Sequence, residues 1–114
     1  MRRLIFALSV ALLAVCPLAA ADAGERVPPN ELQGLLPATF EVEVPFIGTV
    51  MIAVDKDGSV TGKALGMTDH GRVYAQEERL CIRFENWLNG EPRCKKVKRD
   101  EGWYRAGKVR FRPV

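Results

Sequence analysis

Residues 38–66 read ATFEVEVPFIGTVMIAVDKDGSVTGKALG. Phe40, Val42, Val44 and Phe46 alternate with Glu41 and Glu43, a period of two that puts the apolar set on one face of an extended strand and the carboxylates on the other. Asp55-Lys56-Asp57-Gly58 then marks a hairpin turn between TVMIAV and SVTGKALG, because Asp-Gly accepts the backbone conformation that a tight reversal needs. Gly62 and Gly66 in the return strand imply tight curvature. Pro45 implies an edge or a bend, since proline has no N–H to give to a ladder. This stretch is a β-meander.

The pattern continues outward from it. Residues 67–71 read as a loop, RVYA (72–75) as a short strand and Gln76-Glu77-Glu78 as a turn. RLCIRF and RCKKVKR follow as strands, Asp100-Glu101-Gly102 turns the chain into WYR, and Ala106-Gly107 turns it into KVRFRPV. Turn signals recur at the spacing of a small barrel or sandwich, and nothing longer than a single turn has helical periodicity. The predicted fold is all-β: an antiparallel meander of about eight short strands curled into a barrel or roll, forming one domain over residues 37–114. Upstream, GERVPPN opens a proline-rich, weakly apolar segment, so residues 24–36 read as a flexible lead-in.

The first 23 residues have the layout of a cleaved secretory signal peptide. Arg2 and Arg3 precede an apolar run over 4–15, and small residues follow at Ala19, Ala20, Ala21 and Ala23. The run is too short to be a transmembrane segment, and the expected location is periplasmic or secreted. Cys16 is preceded by Val15 rather than a small residue and followed by Pro17, so lipoprotein processing is not expected. About 90 residues then remain, a size at which only about 60% of the unfolded chain's surface is buried and a covalent staple helps.

Cys81 and Cys94 supply that staple. A two-residue turn centred on Asn89-Gly90 would place Cys81 opposite Lys98, about 13 Å from Cys94, well beyond disulfide reach. If Cys81 instead faces Cys94, then Ile82 faces Arg93 and Arg83 faces Pro92. Proline fits there only at a non-hydrogen-bonded position, which makes the cysteine pair non-hydrogen-bonded too, with its Cα atoms close. The proline and the cysteines agree on one register. It leaves residues 85–90, ENWLNG, as a loop and puts the disulfide on the face away from the core.

Charge is distributed unevenly. Residues 24–78 carry four Lys or Arg against nine Asp or Glu; residues 79–114 carry eleven against four. Barrel closure would set Lys108, Arg110 and Arg112 of the last strand against Glu41 and Glu43 of the first, which explains part of the imbalance internally. It leaves the cations around the stapled loop. Trp87 and Leu88, with Arg83, Arg93, Lys96 and Lys98, form the candidate binding surface, a composition suited to an anionic envelope component or an acidic protein. A second reading of Trp87 is open, in which its indole folds back to cap one end of the barrel.

Chemistry-bearing patterns are absent from the sequence. The cysteine spacing is not that of a zinc or redox site, and nothing in the sequence brings the single histidine, His70, into one cleft with the single serine after residue 23, Ser59. Asp55-x-Asp57 begins like a calcium loop but has Val60 and Gly66 where Gly and Glu are required. No enzyme activity, metal, cofactor or nucleic-acid partner is expected. Gly71, Tyr74, Leu80, Cys81, Cys94, Val97 and Lys98 together resemble the motif of small exported bacterial β-domains of unknown function, a resemblance that covers about a third of the chain and implies no activity. The expected function is an exported binding or accessory module, acting as a monomer. Two alternatives accompany it: a lipocalin-like carrier with a cavity lined by Phe40, Val42, Ile52, Val54 and Phe84, and an exported hydrolase inhibitor that presents the 85–90 loop.

Overall fold

A computed structural model describes residues 24–114. The expected signal peptide and Cys16 lie outside the described residues. In chain order the elements are β1 (Arg26–Val27), helix α1 (Pro29–Gln33), β2 (Ala38–Val44), β3 (Gly48–Val54), β4 (Ser59–Ala64) and β5 (Met67–Gln76). They continue with β6 (Arg79–Phe84), a 3-10 turn (Trp87–Gly90), β7 (Arg93–Lys95), β8 (Val97–Asp100), β9 (Trp103–Ala106) and β10 (Val109–Pro113).

The strands make one antiparallel sheet in the order β1-β8-β9-β10-β2-β3-β4-β5-β6-β7, curled into a half-barrel. β7 and β8 belong to opposite flanks of that order, yet only Lys96 separates them in the chain. The segment from Arg93 to Asp100 therefore ties the two flanks together: its first part pairs with β6 and its second with β9. The strand expected over RCKKVKR is thus divided at Lys96, and β1 is added on the edge of β8. These two differences account for ten strands in place of about eight.

The alternation read from the sequence sets which side chains face inward. Phe40 and Val42 of β2, Val50 and Val54 of β3, Val60 of β4 and Phe84 of β6 form the main apolar cluster. Glu41 and Glu43 face outward beside β10, where Arg112 and Arg110 meet them at 3.0 and 2.7 Å. Those two ion pairs are the ones expected from closure. Lys108 lies beyond the ladder, in the β9–β10 turn.

Three local expectations are corrected. Phe46 is not on the inner face: Pro45 has no N–H to extend the ladder, β2 ends at Val44, and Phe46 sits in the turn with φ 70° and its ring in solvent. Residues 67–71 are not a loop but the first half of the ten-residue β5. Asp69 and Gly71 occupy inward positions in line with Val73, and their polarity and small size hide the alternation. The lead-in is ordered where it meets the sheet. β1 pairs with β8, and α1 sets Leu32 against Val27 and Val97 in a second apolar cluster. Arg99 of β8 holds that segment with two hydrogen bonds to Glu31, at 2.7 and 2.8 Å, and one to Glu25 at 2.9 Å. The ten strands and both clusters described here lie within residues 24–114, so this segment carries a core of its own.

Because neighbouring strands of a meander run in opposite directions, the turns at 45–47, 65–66, 85–92 and 107–108 gather at one end of the half-barrel, here called the rim. The turns at 55–58, 77–78 and 101–102 gather at the other end.

Candidate functional site

The disulfide joins Cys81 and Cys94, which face each other with Cα atoms 4.0 Å apart. The register is the expected one, but the ladder ends at Ile82↔Arg93 and the connection widens to residues 85–92. Pro92 has no N–H, and the Glu91 N–H donates to Leu88 O at 3.0 Å, so neither can extend the pairing. Cys81 shares the outer face with its neighbour Tyr74, as expected, although it has no exposed surface of its own.

The loop is anchored from below. Asp69, only 3% exposed, accepts hydrogen bonds from the backbone N–H groups of Asn86 (2.9 Å) and Trp87 (2.7 Å) and from Asn86 Nδ2 (3.1 Å). Burial pushes its pKa up, but the hydrogen bonds from Trp87 and Asn86 outweigh that effect and bring it from 3.8 down to about 2. With its backbone held there, Trp87 lays its indole over Gly62 and beside Phe84, the two rings 4.9 Å apart. A β-carbon on Gly62 would lie 2.7 Å from the indole, so the glycine is what admits it. Trp87 caps one side of the rim, and of the two residues only Leu88 remains exposed.

The remaining expected site residues separate. Arg83 braces the loop from outside, its Nε donating to Gly90 O at 2.9 Å. Lys96 sits at the β7–β8 junction. Lys98 lies on the outer face, between Arg26 and Arg105 in adjacent strands; those arginines pair with Glu78 and Asp100. Arg93 goes elsewhere. Facing residues of an antiparallel pair share a side of the sheet, so Arg93 opposite Ile82 and Lys95 opposite Leu80 both lie on the inner face.

They stand at the mouth of an apolar cavity of about 260 Å³. Phe40, Val42, Ile52, Val54 and Phe84, the five residues expected to line a carrier's interior, all line it, joined by Leu80, Ile82, Val109 and Phe111. Among the described residues, Arg93 and Lys95 are its only charged lining residues. Sequence reasoning placed Arg93 on an exterior basic surface and set Lys95 on the face opposite the disulfide without giving it a role; the register itself held the missing signal, because it pairs both with inward-facing aliphatic residues. Arg93 also touches Glu91 at 3.4 Å, an exposed pair of little energetic weight.

Among the described residues no group of three or more His, Cys, Asp or Glu side chains could hold a metal ion, and no helix is long and apolar enough to cross a membrane. No protein-family model, curated protein or solved structure matches this chain.

Proposed function

We propose that this chain is a small exported carrier that holds the apolar tail of an anionic amphiphile, such as a short-chain fatty acid, inside the half-barrel and its headgroup between Arg93 and Lys95. The observation that carries the reading is the cavity itself, apolar throughout except for two cations at its mouth. The volume exceeds the engineered cavity of about 150 Å³ that takes up benzene and falls below the usual range for drug-sized ligands, which points to a short chain or a single ring.

Trp87, the expected anchor of a loop-led binding surface, is spent on covering Gly62, and two of its expected cations turn back on the same loop, Arg83 to Gly90 O and Arg93 to Glu91. Both facts favour the carrier over a module or inhibitor that binds through the 85–90 loop. The disulfide is consistent with the oxidising compartment that the N-terminal sequence suggests.

Calorimetric titration with straight-chain carboxylates and with alcohols of the same lengths tests the proposal. Binding should rise with chain length to an optimum, and the acid should bind several-fold tighter than its alcohol. Replacing both Arg93 and Lys95 with Gln should remove that preference while leaving the alcohol's affinity unchanged. Failure of every chain length to bind, or equal affinity for acid and alcohol, would overturn it.

A further inference from the structure

The two ends of the half-barrel meet the same backbone demand with opposite chemistry. Among the described residues, six other than glycine adopt the left-handed conformation that tight reversals require: Phe46, Leu65, Glu77, Leu88, Asn89 and Glu101. Glycine or asparagine suits such positions best, and a large apolar side chain gains nothing there from the fold. At the far end the side chains are Glu77 and Glu101. At the rim they are Asn89, which suits the position, and Phe46, Leu65 and Leu88, and these last three are exposed. Ile47 and Met67, next to two of these tips, are also more than half exposed. Three separate turns thus raise apolar groups into solvent at one end of the molecule, where turn stability alone would favour polar ones.

Cations accompany them. Lys108 lies in the fourth rim turn, Lys63 one residue below the end of β4, and Arg93 and Lys95 at the cavity mouth. Of the carboxylates near this end, Glu43 pairs with Arg110, Glu91 with Arg93, and Asp69 is held beneath the loop, which leaves Glu85 exposed with no ion pair among the described residues. Asp55, Asp57, Glu77, Glu78 and Glu101 occupy the turns at the opposite end. The charge distribution would therefore orient the rim toward an anionic surface.

We infer that the rim is a membrane-contact surface, with Phe46, Ile47, Leu65, Met67 and Leu88 entering the headgroup layer of an anionic bilayer while Lys63 and Lys108 engage its phosphates. Tips on separate turns form no continuous flat patch of the kind another folded surface could match, whereas a fluid layer yields to each of them. Each cation near an anionic leaflet strengthens attachment about fivefold, and a few such contacts with shallow apolar insertion suffice for reversible attachment. The inference rests on the rim alone and stands whether or not the cavity holds an acyl chain.

Flotation of the 24–114 segment with vesicles tests it. Vesicles of phosphatidylglycerol mixed with phosphatidylcholine should retain the protein, vesicles of phosphatidylcholine alone should retain far less, and raising the salt should weaken the first. Phe46→Asn with Leu65→Asn, substitutions that suit the left-handed backbone, should lower partitioning about tenfold or more while leaving the urea midpoint unchanged or raised. Lys63→Gln with Lys108→Gln should lower it about thirtyfold on the anionic vesicles only. Three results would overturn the inference: no retention of the wild type, equal retention of the Asn double variant, or a wild-type dimer that the same double variant dissolves. A cavity-filling substitution should leave vesicle binding intact, which separates failure of this surface from failure of the carrier reading.

Discussion

Asp69 shows what one buried carboxylate does in a fold with so little core. It ties the backbone of Asn86 and Trp87 to β5, and the indole then covers Gly62. Its pKa falls from 3.8 to about 2 on folding, so as the pH drops the unfolded chain takes up the proton first. The contribution to stability is whole above the unfolded value and is lost as pH falls through the folded one. Urea melts at pH 5 and pH 2.5 should accordingly show a larger loss for the wild type than for Asp69→Asn, which has no carboxylate to titrate; equal losses would mean that the tie does not matter. In a Trp103→Phe background, Asp69→Asn should also shift the emission of Trp87 to the red as the indole leaves its seat. Gly62→Ala attacks the same contact from below. Its new methyl meets a rigid ring, and the expected cost is that of overpacking, about 1–3 kcal/mol. None of this was legible beforehand, because an aspartate and a glycine at inward positions look like loop chemistry. The alternative fates of Trp87 could be named from the sequence, but the choice between them depended on Asp69.

At the scale of elements, the β6–β7 pair was readable because two covalent facts converge on it: a disulfide has a short reach, and proline lacks an N–H. The loop it closes spans a sequence separation of 13, and the chain-entropy account assigns about 3 kcal/mol to a loop of that length. Cys81→Ala with Cys94→Ala should lower the unfolding free energy by roughly that amount in urea melts under oxidising conditions, and a change near zero would show that the unfolded chain is already restricted without the link. The lead-in was not readable. Of its four apolar residues, Val27, Leu32, Leu35 and Leu36, the last three have helical spacing for a single turn only, and its prolines suggested disorder. Docking is decided by what waits on the other side: Val97 for the side chains and Arg99 for Glu31. The Arg99 guanidinium, donating to the Glu31 carboxylate, holds its pKa below the usual carboxylate value. Leu32→Ala should cost about 2–5 kcal/mol if α1 closes the core, as its burial implies, and nothing if the segment merely trails along the surface.

For the whole molecule, the opposing charges of its two halves proved to be partly a device of assembly. Arg110 and Arg112 meet Glu43 and Glu41 where the last strand joins the first, and both arginines also stack on Trp103 at 4.3 and 4.2 Å. That much follows from a meander that curls, and the all-β class with its strand sequence was legible for the same reason. Whether the curled sheet is solid was not, because a gap reflects the sum of side-chain volumes around the sheet, and no single stretch of sequence displays it. Ala106 on β9 is the smallest side chain on the cavity wall and the place to test the gap. Ala106→Leu should place its added carbons in the void, raise stability by about 0.5–2 kcal/mol and remove ligand uptake, the usual exchange when a functional space is filled. A solid interior gives the opposite sign, a loss of about 1–3 kcal/mol from overpacking. Thermal melts of the two proteins, each freed of lipid beforehand, decide between these outcomes, since retained ligand would stabilise only the wild type and mask the gain.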